Sequence, residues 1–150
     1  MKTALLIILT ILVMGCDEKI ELGLGHSIVK EIEPVLIAKG HLNYNDIFPK
    51  EQHVITSSGK WNLLINNMNS INDNISTSFE ELDIDFEKFI CLAIFDIKNS
   101  TTTVDIVNII EYEDKIIVKV DNLTIGIDQS VHHPFHIVKI PASKKPIAFE

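Results

Sequence analysis

His132, His133 and His136 lie close together, and imidazole is the commonest protein metal ligand. A closed zinc site takes four tetrahedral ligands, and neither a cysteine pair nor a helical H-E-x-x-H accompanies these three. On a strand, His136 faces opposite to Phe135, and Pro134 bends the chain between the histidines. Cys91 sits mid-run among Ile90, Leu92 and Ala93, where burial raises a thiol pKa, so an inert core thiol is expected. Asp83, Asp85 and Glu87 alternate without the glycine and ligand spacing of a calcium loop. Ser57-Ser58-Gly59 does not match the G-x-S-x-G nucleophile elbow. These residues select no nucleophile with a base and an orienting partner. The expectation is a chain with no catalytic residue, no metal and no cofactor. The alternative is a small-ligand or metal-binding, hydrolase-like domain that uses His132, His133 and His136.

The other cysteine carries a different chemistry. Lys2 precedes an apolar run from Ala4 to Met14, broken only by Thr10 and closed by Gly15 and Cys16. A spanning helix needs roughly 20 apolar residues, so this shorter run reads as a secretory signal. Leu12-Val13-Met14-Gly15-Cys16 resembles the lipobox of bacterial lipoproteins. That resemblance implies cleavage of residues 1–15, lipidation of Cys16 with palmitate among its acyl chains, and a membrane partner reached through the lipid. The expected location is the cell envelope, on the outer membrane. With Cys16 so used, Cys91 has no partner for an intrachain disulfide despite export.

The elements that would position these groups follow from periodicity. Residues 16–33 read as a tether and residues 34–150 as one domain, a length that buries about two-thirds of its unfolded surface. Val35 to Ala38 and His53 to Thr56 predict short strands. Ser57 offers an N-cap to a helix with Trp61, Leu64, Ile65 and Met68 on one face and Asn62, Asn66, Asn67 and Asn69 opposite. Ser78 with Glu81 has the spacing of a capping box. Phe89 to Phe95 is an unbroken apolar run, which predicts a central strand buried on both faces. Thr102 to Tyr112 predicts a strand whose alternation breaks near Asn108, as at a bulge. Glu113-Asp114 predicts a turn. Lys115–Asp121, Leu123–Ile127 and His136–Ile140 predict further strands. The class is α+β: a mainly antiparallel β-sheet of about six to seven strands with one amphipathic helix packed on it.

Charge narrows the partners. The formal net charge is −8 and every basic residue other than histidine is lysine. Such a chain is a poor ligand for nucleic acid, where phosphate neutralisation dominates affinity. Asp85-Phe86-Glu87-Lys88, the Phe89–Phe95 strand, a long hairpin and His133-Pro134-Phe135-His136-Ile137-Val138-Lys139-Ile140-Pro141 resemble the PrcB C-terminal domain family, with Trp61 on the helix ahead of the D-F pair. The similarity spans roughly residues 54–149. It implies a lipoprotein subunit that binds, stabilises or inhibits a secreted or surface protease. Where that family carries a glycine-rich loop after the central strand, this chain has Asp96 to Thr103. The expected protein contacts are Lys98, Asn99, Ser100, Thr101, Thr102 and Thr103 in that loop, and His133, Pro134 and Phe135 in a second turn, because binding residues concentrate in loops at strand ends.

Overall fold

The computed structural model describes residues 28–42 and 49–150. The expected signal segment and the lipid site at Cys16 lie outside the described residues. The elements are β1 (Ile28–Glu31), β2 (Val35–Leu42), β3 (Glu51–Ile55), α1 (Ser58–Ile71), a 3-10 turn (Ile75–Ser78), β4 (Phe89–Phe95), β5 (Asp105–Tyr112), β6 (Ile116–Asp121), β7 (His133–Pro141) and β8 (Ile147–Phe149).

The strands form two sheets, ordered β2-β7-β4-β3 and β1-β5-β6-β8. Every pairing is antiparallel except β6 with β8. The first sheet is the middle layer, with α1 on one face and the second sheet on the other. Its composition requires this arrangement. In β4, Cys91, Ala93 and Phe95 pack with Trp61, Leu64, Met68 and Ile137, while Ile90, Leu92 and Ile94 pack with Ile109, Ile116 and Val118. A strand apolar on both faces must be covered twice. Each buried aliphatic side chain contributes about 1.5–3 kcal/mol.

α1 starts where expected. Ser57 is the N-cap in an extended conformation, and its side chain accepts from the Lys60 N–H. Trp61, Leu64 and Met68 are buried, and the Trp61 indole N–H donates to the Leu82 carbonyl at 2.8 Å. The helix stops at Asn72, whose N–H closes on the Met68 carbonyl, and Asn74 takes a left-handed conformation at φ 57°. Asn69 departs from its expected place on the solvated face. Its amide bonds both the hydroxyl and the N–H of Ser76, at 2.9 and 3.0 Å, and so clamps the 3-10 turn to the helix.

The class agrees with the sequence reading, with eight strands in two sheets rather than six to seven in one. The bulge falls where the alternation breaks, between Ile106 and Asn108. Two short strands carry no periodic signal. β1 occupies the end of the expected tether, its residues all exposed, and is held by pairing with β5. β8 has three residues and is held by β6. Residues 123–127 are not a strand. Ser78 ends the 3-10 turn instead of capping a helix, and Glu81 pairs with Lys139. Asp83, Asp85 and Glu87 do not share a strand face, because Asp85 closes a turn by accepting from the Glu87 N–H and the Lys88 ammonium.

Candidate protein-binding ridge

The Lys98–Thr103 loop leaves β4 and is still tied to β7 at its first residue, where Lys98 and His132 exchange main-chain hydrogen bonds of 2.9 and 2.8 Å. A second segment, residues 122–128, lies along this loop. The Thr103 N–H donates to the Thr124 carbonyl at 2.9 Å, and the Thr124 N–H returns to the Thr103 hydroxyl at 3.1 Å. The Gly126 N–H donates to the Thr102 hydroxyl at 3.1 Å, and the Thr101 N–H donates to the Asp128 carboxylate. A Cβ on Gly126 would come within 2.5 Å of the Thr101 nitrogen, so this approach needs glycine.

Residues 124, 126 and 128 bond to the loop, while the large aliphatic side chains between them lie in solvent. Leu123, Ile125 and Ile127 are 68%, 78% and 99% exposed. Single exposed aliphatic residues need no explanation, but three at alternate positions of one anchored segment form an apolar ridge.

Two carboxylates hold this platform. Asp105 is buried at the start of β5. It pairs with the Lys39 ammonium and accepts from the Thr103 hydroxyl and the Leu123 N–H, the latter at 2.9 Å. Burial works to raise its pKa, but the bonds from Lys39, Thr103 and Leu123 outweigh it and hold the carboxyl below its usual value. Asp128 accepts from the His132 ring Nε2 at 2.6 Å as well as from Thr101. The His132 bond, then the Thr101 N–H, bring its pKa down to about 2. The His41 ring stands edge-on to His132 with centroids 5.6 Å apart. Burial lowers the His41 pKa, opposed by a bond with the Thr102 main chain and reinforced by His132.

The histidine cluster does not converge. His132 faces Asp128 and His41. His133 is buried in β7. His136 lies on the face toward the second sheet, where its Nδ1 accepts from the Ile106 N–H at 2.9 Å. Among the described residues, no group of three His, Cys, Asp or Glu side chains is arranged to hold a metal ion. Strand alternation puts His133 on the face of β7 opposite His136.

The second expected contact turn is also corrected. His133, Pro134 and Phe135 are inside β7 and buried, with Phe135 stacked against Phe95 at 6.1 Å between centroids. Pro134 brings no N–H to the ladder, but its carbonyl accepts from the Asp96 N–H at 3.0 Å. In the first loop, Asn99 and Thr101 are exposed, Lys98, Ser100 and Thr103 are half-buried, and Thr102 is buried. That loop supports the ridge. The large exposed hydrophobics at this site, Leu123, Ile125 and Ile127, have the alternation of a strand. Their local signal for a binding surface is the same alternation without a second strand to bury it. Cys91 is fully buried, and burial, with Glu81 nearby, pushes its thiol up to about 12.

No protein family, curated protein or solved structure matches this chain.

Proposed function

We propose that this chain is an envelope lipoprotein, anchored through Cys16, that acts as a non-enzymatic protein-binding module. The partner class implied by the PrcB-like motifs is a secreted or surface protease, which the module stabilises or inhibits. The observation that carries the binding reading is the Leu123, Ile125 and Ile127 ridge. Several hydrogen bonds order this segment before any partner arrives, so docking it costs little further conformational entropy.

The test is affinity capture from envelope extracts of the source cells, with the full chain in mild detergent as bait. A protease is the expected prey, and it is lost when Ile125→Asp and Ile127→Asp are introduced together. Equal capture by that double variant would remove the ridge from the interface. Anchoring is read separately. Cys16→Ala should move the protein out of the membrane fraction, and unchanged retention counts against the lipid anchor.

A further inference from the structure

Four strands end the two sheets, and three of them are protected against pairing with another chain. β1 has a register shift between Ile28 and Lys30. β2 has one between Leu36 and Ala38, and its Ile37 carbonyl accepts from the Glu80 N–H at 2.9 Å. β8 has only three residues. Bulges, covering segments and short length are the usual means of blunting a sheet edge. Among the described residues β3 has neither a bulge nor a covering segment. Its five residues pair with β4 in unbroken register, and among the described residues no strand pairs with its outer edge.

The direction of its main-chain groups follows from β4. The Asp96 N–H donates to Pro134 and the Lys98 N–H to His132, so the even-numbered residues of this strand bond toward β7 and the odd-numbered ones toward β3. Glu51, His53 and Ile55 are opposite Phe95, Ala93 and Cys91 and therefore bond inward. Gln52 and Val54 turn their N–H and C=O groups to the open edge.

A cleft flanks β3 on each face. A cavity of about 270 Å³ between β3 and α1 has Ile55, Leu63 and Leu64 in its lining and Lys60 at its rim. Leu63 is 62% exposed, and Lys60 makes no ion pair among the described residues. On the other face a cavity of about 360 Å³ is lined in part by Ile94, Val104 and Val120. Lys60 and Leu63 are one helical turn apart, about 5 Å along the axis. Same-face residues of a strand are about 6.7 Å apart, a similar spacing.

We propose that the open edge of β3 docks an extended segment of a partner polypeptide, which adds a strand to the β2-β7-β4-β3 sheet. Gln52 and Val54 supply the main-chain hydrogen bonds, and alternate side chains of the guest enter the two clefts. On the α1 face the guest carries an apolar residue against Leu63 and an acidic residue two positions away against Lys60. On the other face it carries small apolar residues. This site is separate from the Leu123–Ile127 ridge, and its test does not depend on that ridge.

The probes are short synthetic peptides that place leucine and aspartate two positions apart on one face and threonine and valine on the other. Titration into the full chain in mild detergent should slow amide hydrogen exchange at Gln52 and Val54 by about tenfold or more at saturation. N-methylation of alternate peptide nitrogens should weaken binding by about tenfold, and so should Leu63→Asp in the protein, an exposed position whose folding is checked by circular dichroism. Unchanged exchange at Gln52 and Val54, or equal binding of the N-methylated peptides, overturns the proposal. Protection of those amides that needs no peptide and grows with protein concentration also overturns it, because the edge would then belong to a second copy of the chain.

Discussion

The imidazole of His132 is 2.6 Å from the carboxylate of Asp128, and the other oxygen of that carboxylate receives the Thr101 N–H. One side chain thus joins the end of β7 to the loop that follows β4, and the exposed Ile127 precedes it directly in the chain. The depressed carboxyl sets the pH dependence. A group whose pKa falls on folding stabilises the folded state above its ordinary value, and that contribution is lost as pH drops through the folded value. The window runs from about 3.8 down to about 2. The Thr101 amide should therefore exchange slowly and evenly from neutral pH to about 4 and progressively faster below, after correction for intrinsic exchange. In Asp128→Ala it should exchange fast throughout. Fast exchange in the unaltered protein at neutral pH would show that this bond does not order the loop.

A Cβ on Gly126 would meet the Thr101 hydroxyl and, behind it, the Thr101 main chain, and the main chain cannot rotate away as a side chain can. Gly126→Ala should cost about 1–3 kcal/mol, the usual range for overpacking. Urea denaturation measures the loss. A variant as stable as the parent would show that the two segments are less closely packed.

Asp105 is the buried charge on which Lys39, Thr103 and Leu123 converge. Asp105→Asn leaves the Lys39 ammonium without its carboxylate and should cost about 2–4 kcal/mol, somewhat below the full penalty because Lys39 is partly exposed. Its folded pKa is lowered, so the charge stabilises above the ordinary carboxyl value and ceases to do so as pH falls through the folded value. The stability gap between parent and variant should thus be widest near pH 7 and narrow in acid. Chemical denaturation at a series of pH values reads this, and a gap that widens in acid would contradict it.

Cys91 should be chemically silent in the folded chain. With its pKa near 12, only about one molecule in ten thousand carries a thiolate at pH 8, and the side chain is fully buried besides. In the Cys16→Ala background, thiol reagents should label Cys91 only after denaturant is added. Rapid labelling of the native protein would mean that the middle sheet opens.

The elements legible in the sequence share a property. α1, β4 and the β5 bulge each write their burial pattern into a single continuous segment, with apolar residues every third or fourth position, an unbroken apolar run, or an alternation that slips by one. β1 and β8 have no such pattern. They bury little, and what makes them strands is the hydrogen bonding of β5 and β6. Leu123–Ile127 misled for the opposite reason, since it alternates like a half-buried strand but its apolar face meets solvent.

The candidate site was legible in part. The Lys98–Thr103 stretch reads as a loop in the sequence, and it lies at the site as the support of the ridge. His133, Pro134 and Phe135 read as a turn because a proline bends the chain, yet they lie inside β7, where the Pro134 carbonyl accepts from the Asp96 N–H. What the sequence alone determined was the local side-chain alternation: which face of α1 is apolar, that β4 needs cover on both sides, and that Cys91 is buried. Only the tertiary structure decided how the strands divide into two sheets, which edge stays open at β3, and that residues 122–128 lie on the loop with Leu123, Ile125 and Ile127 outward. Those features depend on contacts between residues distant in sequence, and a periodicity of two or 3.6 records only which side of an element is apolar, not what lies against it.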